Sequence, residues 1–231
     1  MARIVSIHQP AYLPWLGYLD RIRRSDVFVF LDNVQFQRNS FQNRNKIRTA
    51  QGWIWLTVPV LTKGHTQGTL SDLETDHAQS WQRKHLAAIT QAYAAAPFRD
   101  RVLSWLAPFY TGDRRSLSDL CWTMLEAHLD HLGISTRLVR ASDMEDRGAR
   151  KSDLVLDLCR QLDATTYISG PLGRDYIDEA SFASAGIELR YDDYRHPVYR
   201  QAHAGFESHM AAIDLMMNAD DPMPVLKSGS P

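Results

Sequence analysis

The stretch Arg3 to Asn33, RIVSIHQPAYLPWLGYLDRIRRSDVFVFLDN, decides the fold. Arg3 to Ile7 reads as a short buried strand, because Ile4, Val5 and Ile7 are apolar and the run ends in a loop punctuated by Pro10 and Pro14. Pro14 suits the first turn of a helix. Trp15, Leu16, Leu19 and Ile22 then recur at helical spacing, leaving Asp20, Arg21, Arg23 and Arg24 for a solvated face. The helix ends near Ser25. Asp26 to Leu31 is dense in β-branched and aromatic residues and reads as a second strand, broken by Asp32-Asn33. Strand, loop, helix, strand is the opening of a layered α/β domain.

The rest of the chain continues the alternation. Gln35 to Gln51 is polar and carries Arg38, Arg44, Lys46 and Arg48 without an acid, so it reads as a basic, amide-rich loop. Trp53 to Leu61 reads as a strand, and Thr62 to Thr69, with Gly64 and Gly68, as a mobile connection. Ala78 to Tyr93, Arg99 to Tyr110 and Leu117 to Leu132 read as helices, making about 78–132 a helical segment within the domain. Strands are expected at Thr136 to Val139, Thr165 to Ser169 and Ile187 to Tyr191. Helices are expected at Ser152 to Leu162, capped by Ser152, and at Ser208 to Asn218. The fold expected is a single α/β domain over 1–218, a partly parallel central sheet flanked by helices, followed by a flexible tail over 219–231.

Composition narrows the function classes. The chain has 231 residues, 44% apolar and 23% charged, which fits a packed globular protein and excludes disordered and fibrous classes. Lys plus Arg is 26 against 27 for Asp plus Glu, so net charge gives no support for a polyanion-coating surface. From Arg21 to Ala50, however, seven basic residues face two acids, a local balance of +5. Two cysteines, Cys121 and Cys159, are too few for a disulfide framework and lie on apolar helical faces. Without a basic leader or a run of 18 apolar residues, the chain is expected to be cytoplasmic, with no membrane span. His128 and His131, three apart on one helix, are expected at the surface.

In parallel sheets, ligands sit beyond the carboxyl ends of the strands. Two strand exits are chemically dense. His8 follows the first strand and precedes a helix N-terminus, a place that favours anions and proton transfer, with Gln9, Tyr12, Trp15 and Tyr18 beside it for stacking and rim hydrogen bonds. The second exit is Ser169-Gly170-Pro171-Leu172-Gly173-Arg174-Asp175-Tyr176, which can wrap an anion with backbone amides although it lacks the P-loop spacing and the dinucleotide fingerprint. Between them, Asp32 at a strand end could serve as general base, with Gln35, Asn43 and Arg44 delivered to the same neighbourhood. His196, within YDDYRHPVYRQ and followed by Tyr199, is the other acid/base candidate. Among the described motifs there is no HExxH, no GxSxG and no Cys/His metal spacing, so no protein-held metal is expected.

The stretches IVSIHQPAYLPWLGYLDRI, DVFVFLDNVQFQRNSFQNRNKI, LTVPV, YISGPLGRDYID and HPVYRQ together resemble the WbqC-like family of bacterial proteins over nearly the whole chain. The resemblance implies a place in O-antigen and other surface-polysaccharide gene clusters, and transfer of glycine or a similar acyl group to an amino sugar. Carried onto this sequence, the motif positions are His8, Gln9, Pro10, Tyr12, Pro14, Trp15, Gly17 and Tyr18; Asp32, Gln35, Asn43 and Arg44; and Ser169, Gly170, Arg174 and Tyr176. The expected substrate is a nucleotide-activated amino sugar. The acyl donor could be an ATP-activated acid with Mg²⁺, a thioester or an aminoacyl-tRNA. The alternatives are a nucleotidyl-transferase-like enzyme using ATP, whose usual HxGH signature is here replaced by HQPAYLPWLGY, and a non-catalytic binder of carbohydrates or nucleotide sugars.

Overall fold

The computed structural model describes residues 2–62, 68–112 and 115–231. Five strands, β1 (Ile4–His8), β2 (Val27–Phe30), β5 (Arg137–Arg140), β6 (Thr166–Ser169) and β7 (Glu188–Tyr191), form one sheet in the order β5-β2-β1-β6-β7. Every pairing in it is parallel, with Val5 opposite Val27 on one side and Tyr167 on the other. The expected α/β fold with a parallel central sheet flanked by helices is borne out, and in this sheet the parallel pairing extends to every strand. The chain walks outward from β1 through β2 to β5, then returns to place β6 against the other flank of β1. The strand order reverses between β1 and β6.

Helices cover both faces, which is why the central strands are buried along their length instead of alternating between buried and exposed residues. Phe28 and Phe30 point into one core with Leu16, Leu19 and Ile22 of α1 (Leu16–Arg23), the helical segment α2 (Trp81–Ala92), α3 (Arg99–Leu106) and α4 (Leu117–His131), and α7 (Ile213–Asn218). Val5, Ile7, Val27 and Val29 point the other way, against Leu154, Val155 and Leu158 of α5 (Lys151–Gln161) and Phe182 of α6 (Glu179–Ser184). Both cysteines are free and buried in these layers.

The structure corrects four sequence expectations. The basic stretch is not all loop: Arg44–Thr49 forms β3, paired antiparallel with β4 (Gly52–Thr57), because the turn at 50–51 lets Ile47 and Leu56 bury one face of the hairpin. Ser152 does not cap α5; Arg150 occupies that position, and Ser152 Oγ accepts from Asp178 N–H at 2.9 Å. The expected flexible tail is structured. Helix α8 (Met223–Ser228) seats Leu226 in the core, and Ser230 Oγ donates to the buried Asp20 carboxylate of α1 at 2.8 Å. His128 is fully buried, its Nδ1 donating to Met124 O at 2.7 Å. Of the connection over 62–69, residues 63–67 lie outside the described residues.

Candidate functional site

The strand reversal leaves a crevice at the carboxyl ends of β1 and β6, the place where open parallel sheets bind ligands. A cavity of about 800 Å³ fills it, lined by His8, Gln9, Trp15, Ser169, Gly170, Tyr176 and His196 among the residues expected from sequence. β1 and β6 pair with Ser6 opposite Ile168, so the two strands end at the same edge of the sheet and both His8 and Ser169 reach the crevice. Leu154, Val155 and Tyr167 supply an apolar floor.

His8 Nδ1 lies 2.8 Å from Gln9 O, and a carbonyl only accepts, so the neutral ring carries its proton on Nδ1 and leaves Nε2 unprotonated. Edge contacts from Trp15 at 5.4 Å and Tyr18 at 4.9 Å hold the ring. Burial, then the positive charge of Arg21, lowers its pKa to about 3, so His8 is neutral at physiological pH. His196 is likewise lowered to about 4, by burial first and by the neighbouring His209 second; its Nδ1 donates to Pro197 O at 3.0 Å while Nε2 is buried without a partner. Two neutral imidazoles thus line one cleft.

Sequence reasoning missed Arg21. The sequence pattern puts it on a solvated face with Arg23 and Arg24, yet the residue is only 3% exposed and lines the cavity. Residues Leu16 to Ile22 are all buried, because α8 and the segment around Tyr194 cover the side of α1 that an isolated amphipathic helix would leave wet. Gly17 makes this possible: a Cβ there would stand 3.0 Å from Tyr194 Cδ1. The spacing of Gly17 and Arg21, one helical turn apart, was the available signal. Asp192, Tyr194 and His209 also line the cleft and were not assigned to it.

Several expected site residues lie elsewhere. Tyr12 is fully buried in a relay: His85 is bonded to the Thr57 carbonyl, Tyr12 OH sits 2.8 Å from His85 Nδ1, and Tyr110 OH sits 2.8 Å from Tyr12 OH. It is a core residue. Tyr12→Phe is expected to cost about 1–3 kcal/mol in urea unfolding, since it strands the His85 nitrogen and the Tyr110 hydroxyl, and to leave ligand affinity unchanged. Asp32 is fully buried and accepts from Ser142 N and Ser142 Oγ at 2.9 Å and from Ser118 Oγ at 3.3 Å, so it fastens β2 to the turn after β5 and to α4 and is not open to a substrate. Asn43 Nδ2 is spent on Val58 O at 2.7 Å. Tyr199 OH donates to the buried Asp214 at 2.7 Å. Gln35 is exposed outside the cleft, pairing with Thr69. Tyr18 stands behind His8, and Arg174 lies on the surface over the Tyr191 ring at 4.1 Å, 3.6 Å from Asp193.

Arg44 belongs to a different feature. Ring centroids follow one another from His8 to Trp15, then to Phe41 at 5.2 Å, to Trp55 at 5.8 Å and to Trp53 at 5.9 Å. Arg44 stacks over Trp55 at 4.4 Å and Lys46 over Trp53 at 4.9 Å, because alternate residues of β3 and their partners on β4 share the outer face of the hairpin. Phe41, Trp53 and Trp55 are exposed. A track of rings and cations therefore leads from the cleft across the hairpin. Among the described residues, no group of three or more His, Cys, Asp or Glu side chains could hold a metal ion, and no helix is long and apolar enough to cross a membrane.

Fold and crevice together define an α/β protein with an open cleft at the switch point of a parallel sheet. The chain belongs to the WbqC-like protein family, which it matches over residues 9–222. It is 38% identical over 218 residues, 93% of each chain, to a protein of Mycobacterium tuberculosis (strain ATCC 25618 / H37Rv) described as "Uncharacterized protein Rv1507c". No solved structure matches.

Proposed function

We propose that the protein is a glycyl or aminoacyl transferase that forms an amide on the amino group of a nucleotide-activated amino sugar in surface-polysaccharide biosynthesis. The observation that carries this reading is the neutral His8 imidazole, its tautomer set by Gln9 O, in a cavity of about 800 Å³ at the carboxyl ends of β1 and β6. A cavity of this size holds a nucleotide-sugar moiety. In the step proposed, the sugar nitrogen bonds to the carbonyl carbon of an activated acyl donor, the leaving group departs with its electron pair, and the amine proton passes by way of His8 Nε2 to that leaving group. His196 is the second neutral imidazole for the same proton traffic, and Asp32, saturated by serine donors, takes no part. Trp15 and Tyr176 offer faces for stacking the base or sugar.

The test is amide formation followed by mass spectrometry, with nucleotide-activated amino sugars as acceptors and ATP plus glycine, a glycyl thioester or glycyl-tRNA as donors. His8→Ala is expected to lower kcat by about 100-fold or more with little change in acceptor affinity, as for loss of a group acting on a proton in the transition state. Full activity in that variant would remove His8 from the mechanism. The exposed ring track favours one other reading, a carbohydrate or nucleotide-sugar binding protein without catalysis; tight acceptor binding with no acylated product from any donor would select it.

A further inference from the structure

We propose that Arg21 is a buried anchor for an anionic group, phosphate or carboxylate, of the ligand that occupies the cleft between β1 and β6. The proposal rests on reading that cleft as a ligand site, and not on acyl transfer. Arg21 stands apart from its neighbours on α1. Arg23 Nη2 lies 2.7 Å from Asp20, Arg24 lies 2.8 Å from Asp20 and also pairs with Asp192, and Ser230 takes up a further position on Asp20. The buried carboxylates of Asp20 and Asp192 are thereby paired with arginines other than Arg21. Arg21 has no ion pair and no side-chain hydrogen bond to any described residue, and its Nε is buried without a partner. The titratable groups on which its charge acts, His8, Tyr18, Tyr167 and Tyr176, are neutral at physiological pH.

A guanidinium cannot escape burial by losing its proton, unlike a lysine or histidine. An unpaired buried charge costs several kcal/mol, a cost that folds keep where a ligand supplies the missing opposite charge. The surrounding chain is shaped to keep Arg21 in place. Gly170, the first residue after β6, lies against it so closely that a Cβ would fall 2.5 Å from Nη1, although the backbone there is ordinary extended chain that any residue adopts. A side chain at 170 would thus displace the guanidinium tip rather than disturb the turn. The fork of Arg21 therefore reaches the strand-exit loop from below, on the cavity side, where a planar donor can grip two oxygens of a phosphate or carboxylate. The same anion would offset the positive charge that helps hold His8 neutral, linking ligand entry to the basicity of the proton carrier.

The experiment compares the wild-type chain, Arg21→Met and Gly170→Ala, with inorganic pyrophosphate, UDP, uridine and acetate as probes, by thermal unfolding and calorimetric titration. With no probe present, Arg21→Met is expected to unfold at a higher temperature than wild type, because methionine fills the stem's volume without a buried charge. With pyrophosphate or UDP, wild type is expected to be stabilised and Arg21→Met to lose at least about thirtyfold in affinity. Gly170→Ala keeps the charge but displaces it, and is expected to lose at least tenfold while retaining the wild-type fold. Uridine should be indifferent to both substitutions. A response to acetate but not to pyrophosphate or UDP would assign a carboxylate rather than a phosphate to the anchor. The proposal is overturned if no anion stabilises wild type, or if both variants bind UDP as wild type does. If Arg21→Met fails to fold, Gly170→Ala decides alone. Absence of acyl transfer with anion binding intact would reject the transferase reading and leave the anchor standing.

Discussion

Lowering the pH from 7 to 5 is expected to remove about 4 kcal/mol of folding stability through His85 and His128 alone. Both are buried, and burial is the main reason each pKa is lowered to about 4, with Lys84 adding to the effect at His85 and His131 at His128. In the unfolded chain each titrates near 6.5. A folded pKa below the unfolded one means that the unfolded state binds protons first, so the stabilisation is complete above about 6.5 and disappears as pH falls toward 4. By pH 5 each histidine has cost about 2 kcal/mol, a large share of a typical 5–15 kcal/mol total. Charging either in place is costly. His85 receives the Tyr12 hydroxyl on Nδ1 and is walled by Trp81 at 5.3 Å and Tyr110 at 6.3 Å. His128 has Trp105 against its ring at 4.9 Å and a buried Nε2 with no partner. His8, held near 3, acts in the same direction. Urea unfolding at pH 7, 6 and 5 measures the loss in a window above most carboxylate titration. His128→Leu is expected to reduce the pH 7 to 5 difference by about half of this contribution; an unchanged difference would place His128 outside the acid response.

Asp32→Ala is expected to cost about 3–5 kcal/mol, and Asp32→Asn distinctly less. The carboxylate collects a backbone N–H and two hydroxyls within 3.3 Å in a fully buried position, tying the end of β2 to residue 142 beyond β5 and to Ser118 in the first turn of α4. Alanine leaves all three donors without an acceptor. Asparagine keeps one carbonyl oxygen of the same shape, and the two serine hydroxyls can rotate to accept from its amide. A proton-transfer role predicts the opposite pattern, with Asn as inactive as Ala and stability unaltered. Equilibrium denaturation of the two variants, set beside UDP titration of each, separates the cases: stability is expected to fall in the order wild type, Asn, Ala, with cleft affinity preserved in the folded protein.

Much of the architecture was legible because it is written in local patterns. The apolar runs at Ile4 to Ile7, Val27 to Phe30 and Thr166 to Ile168 are too short for helices and lack the alternation of a half-wet sheet, so they announce strands covered on both faces. His8 and Ser169 could be placed at strand exits from the same patterns. Strand β3 could not, since Arg44, Lys46 and Arg48 break any apolar run and only its pairing with β4 makes it a strand, with Arg44 and Lys46 on the outer face and Arg48 buried. The C-terminal helix was equally hidden, because its hold on the fold comes from Leu226 and Ser230 reaching α1, about two hundred residues away in sequence.

By itself the sequence determined the fold class, the family and the two loops that meet at the cleft, since each rests on residues adjacent in the chain. Only the tertiary structure decided which polar side chains face the cavity. Tyr12 and Asp32 carry chemistry that suits a site, yet each is consumed by partners more than seventy residues away. Arg21 looks like one of three interchangeable surface arginines, but α8 and Tyr194 cover its helix while the neighbouring acids are taken by Arg23 and Arg24. Whether a charge is solvated, paired or left waiting for a ligand depends on what long-range packing puts beside it.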